Sequence, residues 1–172
     1  MQTPDELDDD TLAFARRVFQ FARTGETGEL ANLLGQGLPA NLRNERGDSL
    51  LMLACYHGHA DTARVLLEHG ADPELLNDAG QTPLAGAAFK GDTPVVSLLL
   101  DRGAQVDAAG PNGKTALMIA AMFNRVGIAR MLVRHGADPR LQDAAGMSIR
   151  EAAAKMGAVE AVAFLNETID AR

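Results

Sequence analysis

The stretch Gly80-Gln81-Thr82-Pro83-Leu84-Ala85-Gly86-Ala87-Ala88-Phe89-Lys90-Gly91-Asp92-Thr93-Pro94-Val95-Val96-Ser97-Leu98-Leu99-Leu100 decides the fold. Thr82 stands two residues past a glycine, where its hydroxyl can cap a helix start. Pro83 follows in the first turn, where a missing N–H costs nothing. The small pair Ala87-Ala88 lets this helix pack closely against a neighbour, and Gly91 suits a left-handed stop. Asp92 or Thr93 then opens a second helix with Pro94 just inside. Its apolar residues recur at the i, i+3, i+4 spacing of one buried face. Gly103 closes it. The stretch therefore reads as two short helices joined by a tight turn.

The same unit recurs on both sides. Gly37, Gly70, Gly103 and Gly136 stand 33 residues apart, and so do Gly47, Gly80, Gly113 and Gly146. A third series runs Gly25, Gly58, Gly91, Asn124, Gly157 in the same register. Such repetition at a fixed period is the signature of a stacked array, so it governs the whole reading. Ser49 and Thr115 repeat the cap of Thr82, and His59–Leu67 and Arg125–Val133 repeat the second helix. Asn124 breaks the third series in an expected way, because Asn tolerates the left-handed conformation best after Gly. On that ground alone, Gly would serve there at least as well. Ala71-Asp72-Pro73, Ala104-Gln105-Val106-Asp107 and Ala137-Asp138-Pro139 read as arms of hairpin-like loops that link one pair to the next. The loop tips fall near residues 45–48, 78–81, 111–114 and 144–147.

This unit resembles the ankyrin repeat, whose pattern is a turn, G-x-T-P-L-H-x-A-A, a glycine, an L-L-L helix and G-A-D. Gly80-Gln81-Thr82-Pro83-Leu84 and Leu66-Leu67-Glu68-His69-Gly70-Ala71-Asp72 are near-verbatim matches. The resemblance implies an all-α solenoid of about five helix-turn-helix units joined by β-hairpin-like loops. It implies one domain over residues 1–172, with an N-terminal capping repeat (1–43), three regular repeats (44–142) and a C-terminal capping repeat (143–172). The opening helix, about Asp9 to Arg23, would bury Leu12, Ala15, Val18, Phe19 and Ala22 on one face. Met147–Lys155 and Ala158–Ile169 would form the last pair. One departure is consistent: the family's His after T-P-L is replaced by Met52, Ala85, Met118 and Glu151. The hydrogen-bond network by which that His ties neighbouring loops is therefore expected to be missing.

The composition narrows the function. The chain has 172 residues, 47% of them apolar, with 16 Lys+Arg against 23 Asp+Glu and a net charge of −7. That balance disfavours a phosphate-neutralising surface and hence nucleic acid. No apolar run has the length of a membrane span, and the acidic start Asp5-Glu6-Leu7-Asp8-Asp9-Asp10 is unlike a secretory signal. The carboxylates of that run suit the N-terminus of the first helix. The lone Cys55 cannot form an internal disulfide, and its register with Ala88 and Ala121 makes it a small core residue. A cytoplasmic, monomeric protein is the expectation. Thirteen Arg against three Lys fit a high-GC bacterial genome.

Features that imitate chemistry are explained by the repeat. Gly113-Lys114-Thr115 ends like a phosphate-binding loop, but Ala108 stands where the first glycine is required. His57, His59, His69 and His135 show no ligand spacing for a metal. His69 and His135 fall in last turns, where they suit the helix dipole. No nucleophile-and-base set stands outside the register, so no enzyme, cofactor or metal is expected.

Binding remains. The two residues before each member of the third series would form a stripe on the concave face. They are Arg23-Thr24, Tyr56-His57, Phe89-Lys90, Met122-Phe123 and Lys155-Met156. Met52 and Met118 lie one turn earlier, and the large side chains Tyr56, Phe89, Met122 and Phe123 are expected to be largely exposed. In the resembled family these positions and the hairpin tips contact partners. The tips here supply Arg46, Asp48, Asp78, Gln81, Asn112 and Lys114. Aromatic and Met side chains rimmed by cations have the composition of a protein interface. Basic residues here suit a partner with an acidic, partly apolar segment. The expected function is a non-enzymatic protein-binding module acting as an intracellular regulator or adaptor. Two alternatives are an effector delivered into a host cell and an accessory subunit that modulates an enzyme.

Overall fold

The computed structural model describes residues 9–171, so Asp5, Glu6 and Asp8 of the acidic run lie outside the described residues. Ten helices follow in order: α1 (Asp9–Thr24), α2 (Thr27–Gly35), α3 (Leu50–Tyr56), α4 (Ala60–Glu68), α5 (Pro83–Lys90), α6 (Thr93–Asp101), α7 (Ala116–Met122), α8 (Val126–Arg134), α9 (Ile149–Lys155) and α10 (Val159–Asp170). They form five antiparallel pairs in two layers. The first helices stack in the order α1, α3, α5, α7, α9, and the second helices stack as α2, α4, α6, α8, α10. Among the described residues there are no strands; Arg43–Ser49 and Gln142–Ser148 form isolated antiparallel bridges in two of the hairpins.

The helix starts are set by the hydroxyls. Ser49, Thr82, Thr115 and Ser148 accept the N–H of Met52, Ala85, Met118 and Glu151, respectively. Glu151 reaches back to the Ser148 N–H at 2.8 Å and completes a capping box. Asp92 caps α6 through the Val95 N–H at 3.0 Å. Asn124 takes φ 55°, the left-handed conformation expected of the third glycine series. His69 and His135 follow the last helical turns, and each Nδ1 lies 2.9 Å from a carbonyl of its own helix.

The core runs the length of the array between the layers. Leu50, Leu51, Leu66, Leu99, Leu117, Leu132, Ile149 and Leu165 are fully buried, as is Cys55. Burial pushes the Cys55 thiol far above its usual range, which keeps it protonated and inert. In α1, Val18 and Ala22 are buried as expected, but Leu12 is exposed. The reason is length: α1 has 16 residues against 7 or 8 in α3, α5, α7 and α9, so its first turns extend past the partner it packs on.

The hairpins lack the family histidine, as expected, but have other ties. Neighbouring loops are tied together by an Asn–Asp side-chain bond and by backbone bonds rather than by a histidine. Asn77 Nδ2 donates to Asp48 Oδ1 at 2.9 Å, and the Asp78 N–H donates to the Arg46 carbonyl at 3.0 Å. The Ala144 N–H donates to the Asn112 carbonyl at 2.9 Å. Within three of the four tips an Asx side chain folds the turn. Asn44 Oδ1 accepts from Arg46 and Asp48, Asn77 Oδ1 from Ala79 and Gln81, and Asp143 Oδ1 from Ala145 and Met147. Gly110 holds the same register in the remaining loop. A Cβ there would collide with the Gly80 carbonyl, so the close approach of two hairpins excludes an Asx residue.

Candidate protein-binding groove

Helix ends and hairpin tips converge on one face. The last turns of α3, α5 and α7 deliver Tyr56, Phe89 and Met122, because each helix ends at the same point of the repeat. Tyr56 and Phe89 stack with ring centroids 6.0 Å apart and planes 12° from parallel. Phe89 meets Phe123 edge-to-face at 4.6 Å. Three repeats are thus bridged by one continuous run of rings. Lys90 Nζ lies 4.9 Å from the centroid of Tyr56, a cation–π contact that fixes a charge beside the run.

The burial of these residues differs from the sequence expectation. Tyr56, Phe89 and Met122 are half-buried, Tyr56 and Phe89 through ring contacts with the next repeat; Phe123 is 37% exposed. Met52 and Met118 are buried at 3% and 1% exposure. They are therefore corrected from surface contacts to supports beneath the stripe. The Met52 sulfur packs where a side chain at Gly86 would otherwise sit. His57 and Lys90 are exposed at the rim. Burial, then the charges of His59, Lys90 and Arg23, hold His57 below the usual imidazole value.

The tips divide into two groups. Arg46, Asp78 and Asn112 are exposed, while Asp48, Gln81 and Lys114 are half-buried. Asp48 is a staple between loops, with Asn44 and Asn77 both donating to its carboxylate. Asp78 lies 3.5 Å from the Arg43 guanidinium.

Two open cavities lie between tips and helices. The first, about 260 Å³, is lined by Gln81, Phe89, Asn112, Ile119, Met122 and Phe123 among others. The second, about 190 Å³, is lined by Met122, Asp143, Met147, Ala152, Lys155 and Met156, with Lys114 shared between the two. Ile119 and Met147 were not anticipated from sequence. The signal for Met147 was present: its register holds Asp48, Gln81 and Lys114 elsewhere, so an apolar side chain at a polar tip position marks a socket.

No group of three His, Cys, Asp or Glu side chains among the described residues is placed to hold a metal. No described helix is long and apolar enough to cross a membrane.

Comparison with known proteins agrees with the geometry. A family model described as ankyrin repeats in three copies matches residues 19–110 and again residues 87–172. A Pseudomonas aeruginosa protein named for its ankyrin repeats is 60% identical over 60 residues. That match covers 35% of this chain and 35% of the relative, so the chain spans about a third of the relative's length.

Proposed function

This chain belongs to the ankyrin repeat family, whose repeats generally serve as protein–protein interaction modules, and from that premise we propose that it is a non-enzymatic binding protein. Its partner docks along the groove formed by the ends of α3, α5 and α7 and the hairpin tips. Bound this way, the chain acts inside the cell as a regulator or adaptor, as a monomer.

The observation that carries this reading is the aromatic run from Tyr56 through Phe89 to Phe123. Partly exposed rings held rigidly by one another lose little conformational entropy when covered, which is the character of interface anchors. Their rim supports the same reading. Lys90 and His57 flank the rings with cationic or neutral polar groups, a common border for an apolar contact.

The test uses the intact chain immobilised against a lysate of its source cells. Phe123→Asp removes an exposed anchor without burying a charge. It is expected to lose the captured protein, while Arg64→Ala on the outer helix α4 retains it. Equal capture by both variants would move the site off the groove.

A further inference from the structure

Two adjacent sockets share one wall. Lys114 and Met122 line both the 260 Å³ and the 190 Å³ cavities, so the two lie side by side, one repeat apart. A cavity of about 150 Å³ admits benzene, so each socket has room for one apolar side chain. Three of the groups around the second socket are Met122, Met147 and Met156, whose unbranched thioethers adapt to Leu-, Ile- or Phe-sized guests.

The charges around the sockets are unlike those of the rest of the chain. The sequence has three lysines, Lys90, Lys114 and Lys155, and all three stand on this face. Lys90 is engaged with the Tyr56 ring. Lys114 and Lys155 make no ion pair among the described residues, whose ion pairs are Arg43–Asp78, Arg64–Asp61 and Arg102–Glu68. Asp143, the carboxylate beside the second socket, already accepts two backbone N–H groups at 2.9 Å. Glu151, one turn before Lys155, is occupied by the Ser148 N–H and hydroxyl, so on a chain of net charge −7 the sockets keep a local excess of cations.

Spacing selects the backbone of the guest. Stacked helices lie about 8–10 Å apart, which sets the separation of equivalent points in successive repeats. A polyproline-II chain brings residues i and i+3 onto one side about 9.3 Å apart, from three rises of about 3.1 Å. A β-strand repeats on one side every second residue, about 6.8 Å, which falls short. An extended chain also leaves its own N–H and C=O groups unpaired. The Gln81 side chain lines the first socket and can donate to them through Nε2, whereas Asn112 already accepts the Lys114 N–H and donates to the Ala79 carbonyl.

Building on the reading of this groove as a protein-binding site, we propose that its occupant is an extended acidic peptide segment. Two apolar side chains three residues apart fill the sockets, and carboxylates beside them meet Lys114 and Lys155.

Selection of a random dodecapeptide phage library on the intact chain tests this. Recovered peptides are expected to carry an apolar pair at i and i+3 with flanking Asp or Glu. Fluorescence polarisation of the strongest synthetic peptide should show affinity reduced at least about tenfold by Lys114→Glu with Lys155→Glu, and weakened by added salt. The double variant should keep the melting temperature of the parent chain, since Lys155 is exposed, Lys114 is only half-buried and neither makes an ion pair among the described residues. Recovery of peptides without the acidic residues or the pair, failure to enrich any sequence, or affinity indifferent to the two lysines would overturn the proposal. Loss of capture by Phe123→Asp is independent of this outcome. If that loss is seen while the selection fails, the occupant is wrong and the groove stands; if neither is seen, both fall.

Discussion

Asn124 does two jobs, of which a glycine in the same register could do only the first. Its backbone takes φ 55° to close α7, and its Oδ1 accepts the Ala161 N–H of α10 at 3.0 Å. Ala158, at the N-cap of α10, offers no side chain for that purpose, so the cap comes from the preceding repeat. The left-handed conformation was legible in the glycine register, but the bond across 37 residues was not, because no local spacing encodes it. Asn124→Gly is therefore expected to cost about 1 kcal/mol rather than to be neutral. Asn124→Val should cost about 2–3 kcal/mol, since it loses the cap and adds left-handed strain. Urea denaturation of both variants checks the order, and a neutral glycine variant would show that the bond to Ala161 contributes nothing. His57 gives a second residue-scale prediction. Its proton is held more weakly in the folded chain than in the unfolded one, because of burial and the neighbouring His59, Lys90 and Arg23. The stabilising effect of the neutral ring is thus fully present above its ordinary value of 6.5 and is lost as pH falls through the lowered value. Melting temperature should fall between about pH 7 and 5 by more in the parent chain than in His57→Asn. Identical falls would remove His57 as a contributor.

At the scale of elements, the helix ends and the hairpins carry different kinds of information. Helix starts and stops were readable, because Ser49, Thr82, Thr115 and Ser148 cap locally and the glycines stop locally. The ties between hairpins were missed for lack of a family histidine, although Asn44, Asn77 and Asp143 each stand three residues before a turn glycine and could have been read as Asx turns. The groove was legible as a stripe of large side chains. How far each sinks was not, since that depends on the tertiary packing of one repeat on the next. This separates two substitutions that look alike in sequence. Phe89 touches rings on both sides and is half-buried, so Phe89→Asp should lower stability by about 2 kcal/mol or more as well as abolish binding. Phe123 has one ring partner and a 37% exposed side chain, so Phe123→Asp should bind no partner while melting close to the parent chain. A thermal melt beside a capture assay distinguishes them, and equal melting of the two would mean that the ring stack does not support the fold.

Over the whole molecule, order arises from neighbours. Each pair of helices touches the next pair and little else, so stability is shared between units and interfaces, and an end unit shields the core of the one before it. We propose on this basis that the pair α9–α10 serves as the C-terminal cap. Deleting residues 147–172 should uncover the fully buried Leu117 and Leu132 and produce aggregation on size-exclusion chromatography. A monomer with the melting temperature of the parent would show that the pair is no cap. The central claim concerns the face that the array builds, and hydroxyl-radical footprinting of the intact chain tests it most directly. The side chains are oxidised free and then saturated with the partner recovered by capture, and modification is read residue by residue by mass spectrometry. Met122, Phe123 and Met156 are partly or well exposed in the free chain, and Met131 on the outer helix α8 provides an internal control. The account predicts that oxidation of the first three falls several-fold on binding while Met131 is unchanged. Protection of Met131 with no change at Met122, Phe123 and Met156 would contradict it.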